Sequence, residues 1–428
     1  MEKSITLINF AGSAYITHPS PPLGMAYLQA ALKKSCAIVK VIDEAAGQKI
    51  ENIDTEWVGL GIYTPTAKKA FELADSLKKK GHKVVLGGPH VAIFPEESLK
   101  HADKVIVGEG EESIPLIFDS SEKILKSGLV KNLDSLEFPD WTGFPLEKYS
   151  SPTRKKKFLS IMTSRGCPFA CVYCYKGMFG RTYRTRSPKN VLDEIGFLIE
   201  KYGIEELGIV DDNFTLNRKR VEEICSGIIE RGYKINWNCP NGVRVDTLSP
   251  ELLQLMKKAG CYQLSFGIES GNQEVLDKVG KGIKLEQVKN AVKFAKQAGI
   301  ETIGFFMIAL PFDNEKTMLE TIDFAKSLDL DLAQFTVTTP YPGTELYEIV
   351  KQKGKFLITD FSEFGSYSGT AYYELGALNK ELVERMYKKA YREVYFRPGY
   401  ALKRIMKNPK LALAGISFLK KIFFKKKQ

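Results

Sequence analysis

The sequence predicts an α/β protein made of a doubly wound parallel sheet, a partial (β/α)6 TIM-like barrel and a C-terminal helical segment. Short apolar runs alternate with helical patterns through residues 1–125, and the same rhythm returns in longer units through residues 158–350. A chain of 428 residues is also longer than one hydrophobic core usually serves. We therefore expect more than one domain.

The first unit, residues 1–125, carries five strand-like runs separated by helical segments, an order typical of parallel sheets with helices on both faces. The runs read ITLINF, IVKVID, WVGLGIYT, KVVLGGPH and KVIVGEGE. Sheets of this kind bind ligands at the carboxyl ends of their strands. The candidate ligand-binding residues at those ends are Asp43, Thr64, Thr66, Gly87, Gly88 and Glu109.

Residues 126–157 form a predicted linker, because they are rich in proline, polar and charged residues and show little periodicity. Six more strand candidates follow within residues 158–350, and they read FLSIMTSRG, LGIVDD, INWNCPNGVR, YQLSFGIES, TIGFFMIALP and AQFTVTTPYP. Ser187 and Pro188 are typical of a helix N-cap and first turn between two of them. Six such units indicate a complete or partial barrel with its active site at the carboxyl ends of the strands.

Residues 351–428 form a predicted helical region that ends in a basic, amphipathic tail. After Glu393 the chain has ten lysine or arginine residues and no acid, whereas the whole chain has a net charge of +11. The body is therefore almost neutral, which gives no support for a nucleic-acid groove. Apolar residues such as Leu402 and Phe423 stand among the lysines, which predicts a helix lying on an anionic membrane; a solvated helix end is the alternative.

The sequence further predicts a cytoplasmic protein, with the basic tail adding peripheral association with the inner face of the membrane. The first ten residues have no long apolar segment after a basic start, and no apolar run of about 18 residues occurs anywhere. Seven cysteines in a large chain, an odd number, indicate a reducing compartment rather than a disulfide framework.

Cys167, Cys171 and Cys174 have the spacing C-x3-C-x2-C and directly follow the first predicted strand of the barrel. A structural zinc site needs four protein ligands, but the later cysteines lie on different predicted units without a second C-x2-C pair. Inert burial of the three thiols is a further alternative. A four-iron cluster held by three thiolates keeps one iron open for a substrate, which accounts for the number three.

The stretch CPFACVYC resembles the signature of the radical S-adenosylmethionine superfamily, including the aromatic Tyr173 before the last cysteine. The resemblance implies that the three thiolates hold a [4Fe-4S] cluster, whose open iron chelates the amino and carboxylate groups of S-adenosylmethionine. It also implies a reducing electron donor of the flavodoxin or ferredoxin type. One electron then cleaves S-adenosylmethionine to a 5′-deoxyadenosyl radical, which takes a hydrogen atom from the substrate.

Three later segments resemble the superfamily in order and spacing. LGIVDDNF stands where the methionyl amino group is bound, which implies a role for Asp212. NGVRVD and SFGIESG stand where the family contacts the ribose and the methionyl carboxylate, which implies roles for Arg244, Ser265 and Glu269.

The fifth barrel strand departs from the superfamily pattern on its adenine side. In TIGFFMIALPFDNE, Ala309 and Phe312 stand where glycines are usual, and Asp313 stands where glutamate is common. The resemblance therefore implies individual adenine-contacting residues less strongly in this segment than in the other three.

The segments PPLGMAYLQAALKK, VIDEAAG, GIYTPT, LGGPHVAIFPEE and VIVGEGEES resemble the N-terminal domain of cobalamin-binding radical S-adenosylmethionine enzymes. This resemblance implies a Rossmann-like domain that binds cobalamin through the strand-end residues given above. GEGEES lacks the G-x-G-x-x-G pattern on the first strand, so NAD is disfavoured.

The cobalt-ligating motif of many corrinoid proteins, D-x-H-x-x-G, is absent, because Ala45 stands where its histidine would be after Asp43. The resemblance therefore implies a lower cobalt face without that ligand. His90 is the one histidine in a candidate loop, and a hydrogen-bonded loop residue is favoured over a cobalt ligand.

The two cofactors together imply methyl transfer to an unactivated carbon. The basic tail with its apolar residues adds the hypothesis that the substrate is a hydrophobic or lipid-like small molecule. A cobalamin-dependent cyclisation or oxidation without net methylation, as in the anaerobic cyclase of chlorophyll synthesis, is an open alternative. A non-enzymatic iron–sulfur or zinc protein that binds nucleic acid is the alternative from another class. Candidates to line the substrate cavity are Tyr15, Tyr63, Tyr175, Phe179 and Tyr183.

Overall fold

The computed structural model describes residues 3–10, 19–150, 157–365 and 368–397. Two six-stranded parallel sheets dominate this part of the chain, one in the N-terminal third and one in the middle. The predicted α/β class and its order of units are confirmed. The basic tail, on which the membrane prediction rests, and Tyr15 lie outside the described residues.

The N-terminal sheet has the strand order β2-β1-β3-β4-β5-β6, with all neighbours parallel. Its strands are β1 (Ser4–Asn9), β2 (Ile38–Asp43), β3 (Trp57–Gly61), β4 (Lys83–Gly87), β5 (Lys104–Val107) and β6 (Ile124–Lys126). Its helices are α1 (Leu23–Lys34), α2 (Ala67–Lys79), α3 (Pro89–Ile93) and α4 (Pro95–Lys100). The order reverses between β1 and β3, and such a switch point opens a ligand crevice at the carboxyl ends.

The second sheet has the order β14-β13-β12-β11-β10-β7, so its long strands follow the chain and are all parallel. These strands are β7 (Phe158–Ile161), β10 (Glu206–Ile209), β11 (Asn236–Val243), β12 (Cys261–Glu269), β13 (Glu301–Ile308) and β14 (Leu332–Val337). A short antiparallel pair, β8 (Ser164–Arg165) and β9 (Arg184–Thr185), flanks the cysteine segment. Because β7 and β14 stand at opposite edges, the barrel is the partial one predicted.

Helices connect the barrel strands, as the sequence predicted. They are α5 (Pro188–Tyr202), α6 (Arg218–Glu230), α7 (Pro250–Lys258), α8 (Gln273–Lys278), α9 (Leu285–Gln297), α10 (Glu315–Ser327) and α11 (Glu345–Lys353). The predicted start of α5 is confirmed: the Ser187 side chain accepts a hydrogen bond from the Asn190 N–H, and Pro188 occupies the first turn. A second short pair, β15 (Lys355–Phe356) and β16 (Tyr373–Glu374), precedes α12 (Lys380–Tyr395).

The predicted linker connects the two sheets but is packed rather than free. Trp141 and Tyr149 are 1% and 2% exposed and belong to the same hydrophobic cluster as the barrel core. The Tyr149 hydroxyl also donates to Asp43 Oδ2 at 2.5 Å, at the end of β2. Polar composition predicted a spacer, but its few aromatic side chains bind this segment to both units.

Helix α12 covers the exposed edge of the barrel sheet with two tyrosine hydroxyls. Tyr391 donates to the Phe335 carbonyl at 3.0 Å and accepts from the Phe335 N–H at 3.1 Å. Tyr395 makes the same pair of bonds to Ala333, at 2.6 and 3.2 Å. An i, i+4 spacing on the helix thus matches an i, i+2 spacing on β14, so the outward backbone groups of this edge strand are satisfied.

In the described part of the chain, every helix is too short or too polar to cross a bilayer.

We predict that Tyr391→Phe lowers the free energy of unfolding by about 2 kcal/mol, because it leaves two buried backbone groups of Phe335 unpaired. Chemical denaturation of the purified protein measures this loss. Tyr233→Phe is the matched control, since its hydroxyl accepts only a 3.4 Å bond from Arg231 at the surface. Equal stability of Tyr391→Phe and wild type would contradict the role of this hydroxyl.

Candidate active site

The cysteine segment leaves the barrel at the carboxyl end of β7 and is held at several points. The Val172 N–H donates to the Val279 carbonyl at 3.1 Å, and the Val172 carbonyl accepts from the Leu346 N–H at 2.9 Å. Val172 itself is buried among Val275, Val279 and Leu310. Cys167, Cys171 and Cys174 are half-buried around this anchor. The loop is thus fixed to the barrel, while its thiols stay partly accessible.

Two consecutive acids at the end of β10 shape the entry to the cysteine loop. Asp211 is buried and accepts from the Thr163 N–H and hydroxyl and from the Ser164 hydroxyl, at 2.5 to 2.6 Å. Burial raises its pKa. Asp212 is exposed and accepts from the Gly166 N–H at 3.0 Å. A role of Asp212 toward S-adenosylmethionine stays a prediction.

Gly166, immediately before Cys167, requires glycine for two reasons. Its φ angle is +85°, and a Cβ atom there would lie 2.3 Å from the Thr182 carbonyl oxygen. The close approach of these two backbone segments forms the neck of the cysteine loop.

Glu269 ends β12 and forms a nearly buried ion pair with Lys281 at 2.8 Å, in which the two side chains are 12% and 10% exposed. Cys171 lies beside this pair, and its Sγ is 3.6 Å from the Gly280 carbonyl oxygen. A hydrogen bond from Cys174 lowers the pKa of Cys171 to about 6, and the Lys281 ammonium group acts in the same direction. Sequence patterns did not single out Lys281, whose only signal is its position between two glycines in the loop after α8.

Arg244 lies against the cysteine loop, and its contact with S-adenosylmethionine stays a prediction. Its guanidinium carbon is 3.5 Å from the ring centroid of Phe169, within the cysteine loop. The same group donates to the Lys281 carbonyl at 2.7 Å and pairs with Asp246 at 2.8 Å. The structure therefore brings Arg244, Glu269 and the cysteine loop together. Ser265 lies deeper on β12 and is 2% exposed, so contact with a ligand stays a prediction for it.

The end of β13 shows how the departures from the superfamily pattern are accommodated. Ala309 has a φ of +65°, a conformation that favours glycine, and its carbonyl accepts from the Tyr373 hydroxyl at 2.5 Å. Asp313 is buried and accepts from the Leu310 N–H and the Thr317 hydroxyl, both at 2.8 Å. Asp313 therefore holds this loop, and Phe312 next to it is 40% exposed.

On the facing unit, the loops after β3 and β4 are bonded to each other. The His90 N–H donates to the Ile62 carbonyl at 3.1 Å, and a Cβ on Gly88 would lie 2.8 Å from the same oxygen. The Thr64 hydroxyl lies 3.4 Å from His90 Nδ1. His90 is 2% exposed and lies in the first turn of α3, not in a loop as the sequence predicted.

The backbone at the carboxyl ends of β3 and β4 is uncrowded. Cβ atoms added at Gly61 would meet nothing within 4 Å, and at Gly87 nothing closer than 3.8 Å. Tyr63, which follows β3, is 64% exposed. Thr66, at the same turn, bonds to the Tyr63 carbonyl at 3.0 Å.

Asp43 and Glu109, the two predicted acids of this edge, are committed to partners within the protein. Asp43 is fully buried and accepts from Asn9, Tyr149 and the Ala46 N–H. Glu109 is 2% exposed and pairs with arginines of the barrel unit. Either carboxylate would contact cobalamin only by giving up these bonds, and such a contact stays a prediction.

Comparison with known proteins decides the family. The Radical SAM superfamily profile matches residues 161–325, and the B12 binding domain profile matches residues 12–118. An uncharacterized methyltransferase from Pyrococcus horikoshii is 34% identical, over 91% of this chain and 90% of its own length. The chain belongs to the cobalamin-binding radical S-adenosylmethionine enzymes.

Two further comparisons agree with this membership. The anaerobic magnesium-protoporphyrin IX monomethyl ester cyclase of Rubrivivax gelatinosus is 28% identical over 83% of this chain and 70% of its own. The solved structure of the radical S-adenosylmethionine methyltransferase TsrM from Kitasatospora setae, with cobalamin and a [4Fe-4S] cluster bound, has a TM-score of 0.69 at 16% identity. It covers 93% of this chain and 90% of that one, which shows a shared fold.

The cofactors of this family are a [4Fe-4S] cluster, S-adenosylmethionine and cobalamin, and the residues present fit them. Three half-buried thiols on one anchored loop are a suitable donor set for the cluster. Among the described residues, no three His, Cys, Asp or Glu side chains lie close enough together to hold one metal ion. A cluster binds each thiolate at a different iron, so it needs no such convergence. In the B12-type sheet, the backbone at Gly61 and Gly87 is uncrowded, because added Cβ atoms would meet no atom closer than 3.8 Å.

We predict that Lys281→Met lowers the free energy of unfolding by about 3 kcal/mol and weakens S-adenosylmethionine binding. Removing one partner of a buried ion pair leaves the Glu269 carboxylate uncompensated. Denaturation and anaerobic calorimetry measure the two effects. Lys278→Met is the matched control, because Lys278 pairs with Glu274 at the surface. Equal losses in both variants would contradict the importance of the buried pair.

A pH dependence of stability follows from Asp313. Burial raises its pKa from 3.8 to about 6. The folded state therefore binds this proton more tightly than the unfolded state, and the free energy of unfolding falls as pH rises from about 4 to 6. We predict a loss of about 3 kcal/mol in wild type across this window, absent in Asp313→Asn. Parallel pH profiles of the two proteins, measured by denaturation, would contradict this assignment.

Proposed function

We propose that the protein transfers a methyl group from S-adenosylmethionine to an unactivated carbon of a hydrophobic small molecule. The observation that carries the proposal is the presence, in one chain, of an anchored three-cysteine loop and a B12-type sheet whose backbone is uncrowded at the strand ends. The 34% identical relative described as a methyltransferase supports methylation as the outcome.

When bound, the cofactors supply radical formation from S-adenosylmethionine and a transferable methyl group. The chain's own residues bind and orient the reactants. Three thiolates hold the cluster, and the Glu269–Lys281 pair with Arg244 presents charged groups next to it for the methionyl and ribose parts of S-adenosylmethionine. Such fixed placement turns an encounter of separate reactants into a reaction within one complex.

A hydrophobic substrate is supported by aromatic side chains left accessible near the strand ends. Tyr63 follows β3 and is 64% exposed, and Phe312 follows β13 and is 40% exposed. Small-molecule sites are lined mainly by apolar and aromatic side chains, so these two rings are candidates to contact an apolar substrate. A hydrophobic substrate would also exclude water from the radical chemistry.

A second candidate is ring formation or oxidation without net methylation. It is supported by the similarity to the anaerobic cyclase of Rubrivivax gelatinosus, over 83% of this chain. The non-enzymatic iron–sulfur or zinc alternative has no such support, since the family is one of enzymes.

The deciding experiment uses the anaerobically reconstituted protein with reductant, methyl-labelled S-adenosylmethionine and an extract of hydrophobic metabolites. Methyl transfer predicts label in an organic-soluble product. Consumption of S-adenosylmethionine with a changed product but without label would establish the second candidate instead.

Replacing any one of Cys167, Cys171 or Cys174 with alanine should abolish S-adenosylmethionine cleavage and lower the iron content. Cobalamin binding, read from absorbance, should persist because the B12-type domain has hydrophobic clusters of its own, which do not include the three cysteines. Cys36→Ala is the matched control, as it removes an exposed thiol from the first domain. Cleavage that survives in the loop variants would end the cluster assignment.

A further inference from the structure

A buried ionic cluster joins the B12-type domain to the barrel. Glu109, in the loop after β5, accepts from Arg165 at 3.1 Å and forms a bidentate contact with Arg184. It also accepts from the Val130 N–H at 3.0 Å. The Glu109, Arg165 and Arg184 side chains are 0%, 4% and 8% exposed. Charges this far from water are stable only when paired and hydrogen-bonded.

The two arginines stand at the two ends of the cysteine loop. Arg165 ends β8, two residues before Cys167, and Arg184 begins β9 after the loop returns. They are direct partners in the antiparallel β8–β9 pair. Like charges opposite each other on neighbouring strands repel. The neck of the loop is therefore closed by a carboxylate that comes from the other domain.

The surrounding contacts complete this cluster. Glu111 pairs with Arg165 at 2.6 Å, so two carboxylates balance two guanidinium groups. The Arg165 guanidinium lies between the rings of Tyr27 and Phe179, at 5.4 and 5.3 Å from their centroids. Tyr27 belongs to α1 of the first domain, whereas Phe179 belongs to the cysteine loop itself. The first domain and the cysteine loop therefore both contact the Arg165 side chain.

We propose that Glu109 is a positioning residue that locks the neck of the cysteine loop to the B12-type domain and so fixes the separation of the cluster from cobalamin. This inference rests on the proposed function, because it requires both cofactors on one chain. It assigns Glu109 a task other than direct contact with cobalamin. The Glu109 carboxylate acts through Arg165 and Arg184. These two arginines hold the neck of the cysteine loop and so position the reacting atoms.

The test compares wild type with Glu109→Gln, each loaded with cobalamin and the cluster. Cob(II)alamin and the reduced cluster each carry an unpaired electron, so pulsed electron paramagnetic resonance reports the distance between them. Wild type should give a narrow distance distribution, and Glu109→Gln a broadened one with both signals intact. Glu137→Gln is the matched control, since it alters an exposed pair with Lys34 and should keep the narrow distribution.

A second readout needs no cofactor. Amide hydrogen exchange over residues 165–184 should be faster in Glu109→Gln, while exchange in α9 stays as in wild type. If Glu109→Gln does not fold, Glu111→Gln decides, because it removes one bond to Arg165 at a partly accessible site. An unchanged distance distribution and unchanged exchange in the folded variant overturn the inference. Wild type that lacks either spin signal overturns the proposed function instead.

Discussion

The pairing of charges removed from water is the constraint on which the functional end of this protein depends. Glu109 with its two arginines and Glu269 with Lys281 are both nearly inaccessible to solvent. Each ion alone would carry a desolvation cost of several kcal/mol. The loop after β5 and the loop after α8 therefore cannot move without leaving a charged group unpaired or exposed to solvent. The pairs therefore set the positions of the loops more strictly than apolar packing would.

Hydrogen bonds between side chains and backbone also fix the positions of the strand ends. Asp211 binds the chain just after β7, and Asp313 binds the turn after β13. At the far edge of the barrel, tyrosines of α12 satisfy the outward groups of β14. A partial barrel has two open edges and long loops at its mouth, and polar side chains from neighbouring elements replace the partners that a closed barrel would supply.

The sequence predicted what is encoded locally. Apolar runs located all six long barrel strands and five of the six strands of the first sheet, and cysteine spacing located the loop that follows β7. It could not predict β6, which is only three residues long, or the packing of Trp141. Nor could it pair Glu109 with Arg184, because 75 residues separate them and their contact exists only after two domains meet. Lys281 was missed because its pairing with Glu269, only 12 residues away, depends on the path of the loop after α8.

Two non-glycine residues at the ends of barrel strands have strained backbone conformations. Glu269 and Ala309 end the neighbouring strands β12 and β13 with φ angles of +68° and +65°, which cost a non-glycine residue roughly 1 kcal/mol or more each. Such strain persists only where other bonds fix it, and here the bonds are the Lys281 ion pair and the Tyr373 hydroxyl. Both residues lie at the carboxyl ends of barrel strands, the end of the barrel from which the cysteine loop also leaves. The ion pair with Lys281 thus fixes the Glu269 carboxylate at the end of β12, and Cys171 contacts the neighbouring Gly280 carbonyl.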